Sequence, residues 1–282
     1  MLLENKKFIL SIGVILFLNL FFWRIILFPP ADNLKIYFLD VGQGDSQLVV
    51  LPGGVKILID GGPNASVIEQ LDKILPFYQR YIDLVILTHP QKDHSAGLVE
   101  ILRRRGASLF LSNGQKASIT AYQELEKTLK DLRVPTISLS ASDKIKYRSN
   151  TLSILWPPAK LVSKEINDYA LVGLLESPGI KALFTSDIGA EQEKVLIEKY
   201  NLDLDILKVA HHGSKFSTSQ DFLIKTQPKI AVIEVGKNSY GHPTAEVLNR
   251  LVSIGAKILR TDQLGTVKLE VKEGKISISY SN

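Results

Sequence analysis

Short, almost entirely apolar runs separated by polar turns restrict the fold of this chain more than any other feature. Examples are Val55–Asp60, Asp83–Thr88 and Ile230–Val235. Runs of this length and composition are typical of buried strands. Amphipathic segments such as Ala190–Lys199 and Thr244–Ile254 lie between several of them and predict helices. The alternation predicts an α/β domain with two sheets packed face to face and helices on the outside.

Composition excludes several other classes of protein. Apolar residues make up 45% of the 282 residues and charged residues 22%, which excludes an intrinsically disordered chain. The chain has no cysteine, so it has no disulfide, no thiolate nucleophile and no Cys-ligated metal site. Any metal must bind histidine, carboxylate or amide groups. The net charge of +5 neither requires nor excludes a nucleic-acid ligand.

The N-terminal segment Phe8–Phe28 is apolar over 21 residues and contains a single charged residue, Arg24. A helix of that length spans the hydrocarbon layer of a bilayer, which is about 30 Å thick. Two lysines precede the run, and the positive-inside rule then places the N-terminus in the cytoplasm. The alternative is a cleaved signal peptide, but the run is long for one and no small-x-small cleavage site precedes Asp32.

This segment divides the chain into two predicted parts. Residues 1–31 are expected to form a cytoplasmic N-terminus and one transmembrane helix, with residues 8–28 in the lipid bilayer. Residues 32–282 are expected to form one extracytoplasmic domain, so that the protein crosses the cytoplasmic membrane once.

All five histidines lie in loops that follow predicted strands. His89 and His94 flank Asp93 after one apolar run, and His211 and His212 follow another. The fifth is His242. Asp187 likewise follows the predicted strand at 181–185. Polar groups at the carboxyl ends of strands line a crevice, and histidine and aspartate are good ligands for zinc or manganese. The alternative for the first loop alone is a polar turn that caps the helix predicted from Leu98.

Six motifs, taken in order, resemble a known family. The segment THPQKDHSAG at 88–97 resembles the His-x-His/Asp-x-Asp-His signature of the metallo-β-lactamase fold. Together with DVGQGDS at 40–46, LIDGG at 58–62, TSD at 185–187, HHGS at 211–214 and YGHP at 240–243, it resembles the extracytoplasmic metallo-hydrolase domain of the ComEC/Rec2 competence family. The resemblance covers about residue 34 to the end. It implies an αββα sandwich with the active site along one edge of the two sheets.

The resemblance also implies a set of metal ligands. One ion would be bound by His89 and the side chain of Gln91, and the other by Asp93, His94 and His211, with Asp187 bridging the two. Zinc or manganese in such a site would hold the hydroxide that attacks a phosphoryl group.

Further roles follow from the same resemblance. Asp93 and His242 are assigned to catalysis, His242 by stabilising charge or protonating a leaving oxygen. Asp60 would orient the loop of His89, and Asp45 belongs to the first motif without an assigned role. His212, Ser214 and Lys215 are candidates for phosphate contact.

Two departures from the family pattern concern the first ion. The family usually has His or Asp where this chain has Gln91, and an amide is a poorer zinc ligand. The segment Asn167-Asp168-Tyr169-Ala170 stands where the family often reads Asn-Asn-x-Ser, and the third histidine of well-known β-lactamases is missing. Asn167 or Asp168 would have to replace it. We expect one ion, or two of unequal affinity.

The expected function is that of a membrane-anchored, metal-dependent phosphodiesterase or nuclease acting on DNA outside the cytoplasmic membrane. Because the family's multi-span channel is not in this sequence, a separate membrane channel is the expected partner. Two alternatives stay open. One is an extracytoplasmic hydrolase of a small ester, amide or phosphate, since the fold accepts many substrates. The other is a catalytically degenerate binding module.

Overall fold

The computed structural model describes residues 2–27, 33–76 and 79–281. Its first helix, α1, is Leu2–Leu27, and several of its apolar side chains are exposed, among them Leu10 and Leu20. Within the described part of the chain, no helix combines the length and hydropathy needed to cross a membrane. Residues 28–31, the end of the predicted anchor, lie outside the described ranges. The transmembrane segment therefore stays a prediction.

The first sheet has eight strands, and their spatial order is β15-β14-β1-β2-β3-β4-β5-β6. The strands are β1 (Leu34–Phe38), β2 (Gln47–Val50), β3 (Lys56–Ile59), β4 (Ile82–Leu87), β5 (Ala107–Ser112), β6 (Thr136–Ser138), β14 (Val267–Lys272) and β15 (Lys275–Tyr280). Strands β3 to β6 are parallel, and the remaining neighbours pair antiparallel.

The second sheet has seven strands in the order β13-β12-β11-β10-β9-β8-β7. They are β7 (Lys144–Tyr147), β8 (Asn150–Trp156), β9 (Val172–Ser177), β10 (Ile180–Phe184), β11 (Ile206–Lys208), β12 (Ile230–Ile233) and β13 (Lys257–Arg260). Strands β10 to β13 are parallel. Each sheet thus contains a parallel block whose strands end on the same side.

Helices cover the outer face of each sheet. The helices are α2 (Ser66–Ile74), α3 (Lys92–Arg104), α4 (Thr120–Asp131), α5 (Ala190–Lys199), α6 (Gln220–Thr226), α7 (Ala245–Ser253) and the single turn α8 (Thr261–Leu264). One apolar core lies between the sheets, where the Phe38 and Phe184 rings stack at 6.3 Å. A second core joins the first sheet to α2, α3 and α4, and a third joins the other sheet to α5, α6 and α7. The prediction of two packed sheets with helices outside is confirmed.

Helix α3 begins six residues before the helix predicted from Leu98. It starts at Lys92, so Asp93 and His94 lie in its first turn rather than in the preceding loop. The apolar spacing indicated only the part of the helix that packs on the sheet. The first turn is held by tertiary contacts, because the Asp93 carbonyl accepts a hydrogen bond from Asp45 N–H at 3.2 Å and the His94 carbonyl accepts one from Gly61 N–H at 2.7 Å. Further along the helix, Gly97 lies so close to Gly61 that a Cβ atom would come within 1.9 Å of the Gly61 carbonyl oxygen.

Candidate metal centre

Four side chains from both sheets converge at the ends of the parallel strands. They are Asp93, His94, Asp187 and His212, and their ligand atoms all lie within 4.8 Å of one another. His94 Nε2 is 3.4 Å from Asp187 Oδ2, and His212 Nε2 is 3.5 Å from Asp93 Oδ2. The first two residues come from the start of α3, and the other two follow β10 and β11. The cluster therefore lies across the edge of both sheets.

The donor atoms of this cluster fit a divalent cation. His94, Asp187 and His212 are each no more than 2% exposed. The Nε2 atoms of the two histidines and both carboxylate oxygens of Asp187 have no hydrogen-bond partner among the described residues. Burying unpaired polar atoms is unfavourable, and imidazole nitrogens with carboxylate oxygens are a good ligand set for zinc or manganese. An ion held by these four side chains would take one ligand atom from each of them.

The structure places His212, rather than the predicted His211, in this four-residue cluster, and the role of His211 as a ligand stays a prediction. The turn Ala210–Gly213 holds both histidines in the left-handed region, with φ of 49° for His211 and 54° for His212. The turn directs His212 inward, where its Nδ1 lies 2.8 Å from the Glu234 carbonyl oxygen. His211 is 35% exposed, and its Nε2 lies 3.8 Å from Asp187 Oδ2.

Asp60 orients His94. Its Oδ2 lies 2.8 Å from His94 Nδ1, which leaves Nε2 as the nitrogen free for a metal. The same carboxylate accepts hydrogen bonds from the backbone N–H and the hydroxyl of Thr88, at 2.8 Å and 2.7 Å. Asp60 thus contacts the residue next to His89, as the predicted role requires, and in addition holds His94, which was not predicted.

The charges in the cluster stabilise one another. Burial alone lowers the pKa of His94, but the Asp187, Asp60 and Asp93 carboxylates outweigh it and raise this pKa well above its usual range. Burial also lowers the pKa of His212, which Asp187 and Asp45 raise to about 10. For Asp187, burial raises the pKa, but the two imidazoles bring it well below its usual range. A metal ion must displace the imidazole protons as it binds.

A buried ion pair lies behind the cluster, and the sequence analysis missed its cation. Lys208 is fully buried, forms an ion pair with Asp45, and donates a hydrogen bond to the Ser186 carbonyl at 3.1 Å. Its Nζ lies 3.8 Å from Asp187 Oδ1. Asp45 Oδ1 in turn lies 3.3 Å from His212 Nδ1. Asp45, which had no assigned role, therefore connects the lysine to a ligand. A lysine inside the apolar run 205–210 was the available signal, since unpaired lysine is almost never buried.

Glu234 completes this buried layer and was also missed. Its carboxylate accepts hydrogen bonds from the Ser46 N–H at 3.0 Å and from the Gln47 amide, and its carbonyl lies against His212. Burial and then the Asp45 charge raise the pKa of Glu234 well above its usual range. Through these contacts Glu234 joins the second sheet to the start of β2 and lies next to His212.

The side of the site that contains His89 is less complete. His89 is fully buried, its Nδ1 lies 3.0 Å from Thr88 Oγ1, and its Nε2 has no partner among the described residues. Burial and then the neighbouring His94 lower the pKa of His89 to about 3, so it is a neutral imidazole. Gln91, however, donates its amide N–H to Asn167 Oδ1 at 2.5 Å. Of the two side chains predicted to bind the first ion, His89 therefore has a ring nitrogen without a partner, whereas the Gln91 amide is hydrogen-bonded to Asn167.

The remaining predicted residues surround the cluster. Asp168 accepts hydrogen bonds from Gln192 Nε2, at 2.9 Å, and from the Ser163 hydroxyl, so its carboxylate is occupied elsewhere. The His242 ring lies 5.8 Å from the His211 ring, centroid to centroid. Ser214 is buried in the turn that follows His211, and Lys215 is exposed.

A family comparison agrees with this arrangement. The sequence model described as the metallo-beta-lactamase superfamily matches residues 39–236, more than half of the chain. This chain belongs to the metallo-β-lactamase superfamily. With the cluster of candidate ligands, membership supports a metal-dependent hydrolase.

The curated relatives include Competence protein ComA of Neisseria gonorrhoeae, at 27% identity over 88% of this chain and 34% of the relative. The chain is 31% identical to ComE operon protein 3 of Bacillus subtilis over 262 residues, which cover 84% of this chain and 33% of the relative. It is 27% identical to Recombination protein 2 of Haemophilus influenzae, covering 99% of this chain and 34% of the relative. The chain thus spans about a third of the length of these relatives.

Solved metallo-β-lactamase folds match the architecture. The protein YhfI of Bacillus subtilis superposes with a TM-score of 0.57 at 12% identity, covering 88% of this chain and 100% of that one. The metallo-hydrolase Igni18 of Ignicoccus hospitalis gives a TM-score of 0.54 at 20% identity, covering 84% of this chain and 100% of that one. At these identities the likeness concerns the fold alone.

Proposed function

We propose that this superfamily member is a metal-dependent phosphodiesterase that cleaves DNA outside the cytoplasmic membrane. The observation that carries the proposal is the buried set of unpaired donor atoms on His94, Asp187 and His212, with Asp93 beside them. The similarity to competence proteins supports DNA as the substrate. A divalent cation, when bound by these residues, supplies a water of lowered pKa and polarises a phosphoryl oxygen.

The chain's own residues support this chemistry in separate ways. Asp60 and Asp45 hold the two ligand imidazoles with their Nε2 atoms toward the shared position. Burial and then the neighbouring His211 lower the pKa of His242. This shift favours the neutral imidazole, whose ring N–H can donate a hydrogen bond to a phosphoryl or leaving oxygen.

Substitution of a ligand tests the enzyme assignment. With manganese or zinc added, Asp187→Asn in the full chain should lower the cleavage rate of linear DNA by at least about 100-fold, since even outer-shell changes at metal sites cost 10- to 100-fold. The matched control is Asp131→Asn, whose carboxylate is exposed at the end of α4. Full activity in Asp187→Asn would contradict the proposal.

A small-molecule hydrolase is the second candidate. A cavity of about 380 Å³ adjoins the cluster and is lined by Asp187, His211 and Asn167, a volume that suits a small ligand. Metal-dependent hydrolysis of a small ester or phosphate diester without cleavage of any DNA would favour this candidate over the first.

The proposed location rests on α1, whose described apolar side chains are solvent-exposed, and on the N-terminal lysines. The absence of cysteine allows a direct test with single introduced cysteines. In intact cells, Lys275→Cys should react with a membrane-impermeant maleimide, whereas Lys7→Cys should react only after lysis. Equal protection of both would contradict an extracytoplasmic domain.

A separate channel protein that delivers or receives DNA is part of the same proposal and would co-purify after crosslinking.

A further inference from the structure

Two aromatic side chains at the opening of the candidate metal centre are mostly exposed. Phe216 is 72% exposed and Tyr240 is 73% exposed. Phe216 lines the same cavity as Asp187 and His211. The Tyr240 ring lies 5.7 Å from the His242 ring, which in turn lies 5.8 Å from that of His211. Single exposed aromatics are common on protein surfaces, but both of these lie close to His211: Phe216 lines the same cavity, and Tyr240 lies next to it through the His242 ring.

The backbone that carries each ring is held in place. The Phe216 carbonyl accepts a hydrogen bond from Ala190 N–H at 3.0 Å at the start of α5. Asn238 Oδ1 accepts hydrogen bonds from the backbone N–H groups of Tyr240 and His242, and its amide donates to the His242 carbonyl at 2.8 Å. The backbone of both loops is therefore held by hydrogen bonds, while the two aromatic side chains stay mostly exposed. This arrangement suits a planar apolar ligand that stacks on them.

The nearby charges indicate what carries that ligand. Lys215 Nζ lies 5.1 Å from the centroid of the Phe216 ring, and Lys164 lines the same cavity. Glu165, Asp168 and Asp187 line it too, so without a bound cation its carboxylates outnumber its lysines. A ligand recognised mainly through flat apolar groups therefore fits this wall better than a polyanion recognised by charge alone. A nucleic-acid strand with unpaired bases has this character.

We propose that Phe216 and Tyr240 are stacking platforms for unpaired bases next to the scissile phosphodiester, so that the centre receives single-stranded nucleic acid. This inference rests on the proposed phosphodiesterase function. In a duplex each base face is already covered by its neighbours, whereas an unpaired base can stack on an aromatic ring. The platforms act as specificity-determining residues that position the strand.

Binding of a fluorescent base tests the platforms without cleavage. The probe is a single-stranded oligonucleotide containing 2-aminopurine, added to the full chain in the absence of added metal. Stacking on the wild-type protein should quench its fluorescence. Phe216→Ala and Tyr240→Ala should each weaken binding by about 10-fold, the size of one lost base–aromatic stack. Phe216→Trp and Tyr240→Phe should retain binding.

Cleavage then gives a second readout. With manganese, the wild-type protein should cleave a single strand about 10-fold faster than the same strand with abasic sites beside the scissile phosphate. Phe216→Ala and Tyr240→Ala should lose this discrimination. The matched control is Tyr280→Ala, which removes a tyrosine that is 56% exposed on β15.

The outcomes separate the two proposals. Quenching without cleavage of any strand would support the platforms and overturn the nuclease. Cleavage of abasic and normal strands at equal rates, or unchanged binding in both alanine variants, would overturn the platforms and leave the nuclease standing.

Discussion

The two halves of the candidate site differ in completeness, although both include residues of the segment 89–94. The half around Asp187 brings together four ligand side chains whose atoms lie within 4.8 Å of one another. The half around His89 has one unpaired imidazole nitrogen, and Gln91 is hydrogen-bonded to Asn167 instead. Residues of the short segment 89–94 therefore lie in surroundings that differ in how many metal ligands they offer.

The difference follows from what lies behind each half. Behind the Asp187 half is a buried layer of ionisable groups, Asp60, Asp45, Lys208 and Glu234, which orients the ligands. In the other half, Gln91 is hydrogen-bonded to Asn167, and both of these amide side chains are only partly buried. Ligand geometry is maintained by such outer contacts as much as by the ligands themselves. One tightly bound ion in the Asp187 half is the expected state.

Removing a ligand of the complete half should have the largest effect. In His94→Ala the cluster loses a nitrogen ligand, and we expect at least about 100-fold less activity and loss of the tightly bound ion. Gln91→Ala removes the corresponding side chain of the other half and should lose less than about 10-fold. Elemental analysis with DNA-cleavage assays measures both. Equal losses in the two variants would show that the halves do not differ.

Removing the buried cation should destabilise the fold. Lys208→Met leaves the Asp45 carboxylate buried without its ion-pair partner, which costs about 3–5 kcal/mol in free energy of unfolding. Adding Asp45→Asn to this variant should restore part of the loss, because the unpaired charge is then gone. Urea unfolding measures both, and Lys127→Met, which breaks an exposed pair on α4, is the control. A loss as small as that of Lys127→Met would show that the buried layer does not support the site.

A bound ion should stabilise the complete half measurably. At 100 times its dissociation constant, a ligand of the folded state adds about 2.7 kcal/mol, which raises the Tm by roughly 5–10 °C for a domain of this size. A chelator should remove the increase in thermal unfolding experiments. Asp187→Asn should show no increase at the same manganese concentration, while Asp131→Asn should behave as wild type.

Completing the weaker half should have the smallest effect. Gln91→His supplies an imidazole next to His89 and removes the amide pair with Asn167. We expect a second bound ion per chain and activity equal to or up to about 10-fold above wild type, because a two-metal site stabilises both oxygens of the displacement. Gln123→His, on the exposed face of α4, is the control. If the Gln91→His variant still binds one ion per chain, Gln91 is not the residue that prevents a second ion from binding in this half.

Much of the fold could be predicted from local pattern. The helix predicted over Ala190–Lys199 has those bounds in the structure. Strands β5, β6 and β15 were missed. β15 lies at the edge of its sheet with most side chains exposed, so its sequence has little apolar signal.

The candidate site was predicted in part. The positions of the loops that carry Asp93, His94 and Asp187 follow from strand ends, and the structure brings these three together. The choice between His211 and His212 could not be predicted, because adjacent residues in a tight turn point in directions set by φ and ψ. Asp45 and Lys208 are far apart in sequence, so only the packing of the two sheets shows that they form a pair.

The sequence by itself determined which residue types end which strands, since strand periodicity and side-chain chemistry are local properties. Only the tertiary structure decided which of those side chains face one another. That choice depends on long-range packing: the Gly97–Gly61 approach positions α3, and the buried Asp45–Lys208 pair joins the two sheets beneath the ligands.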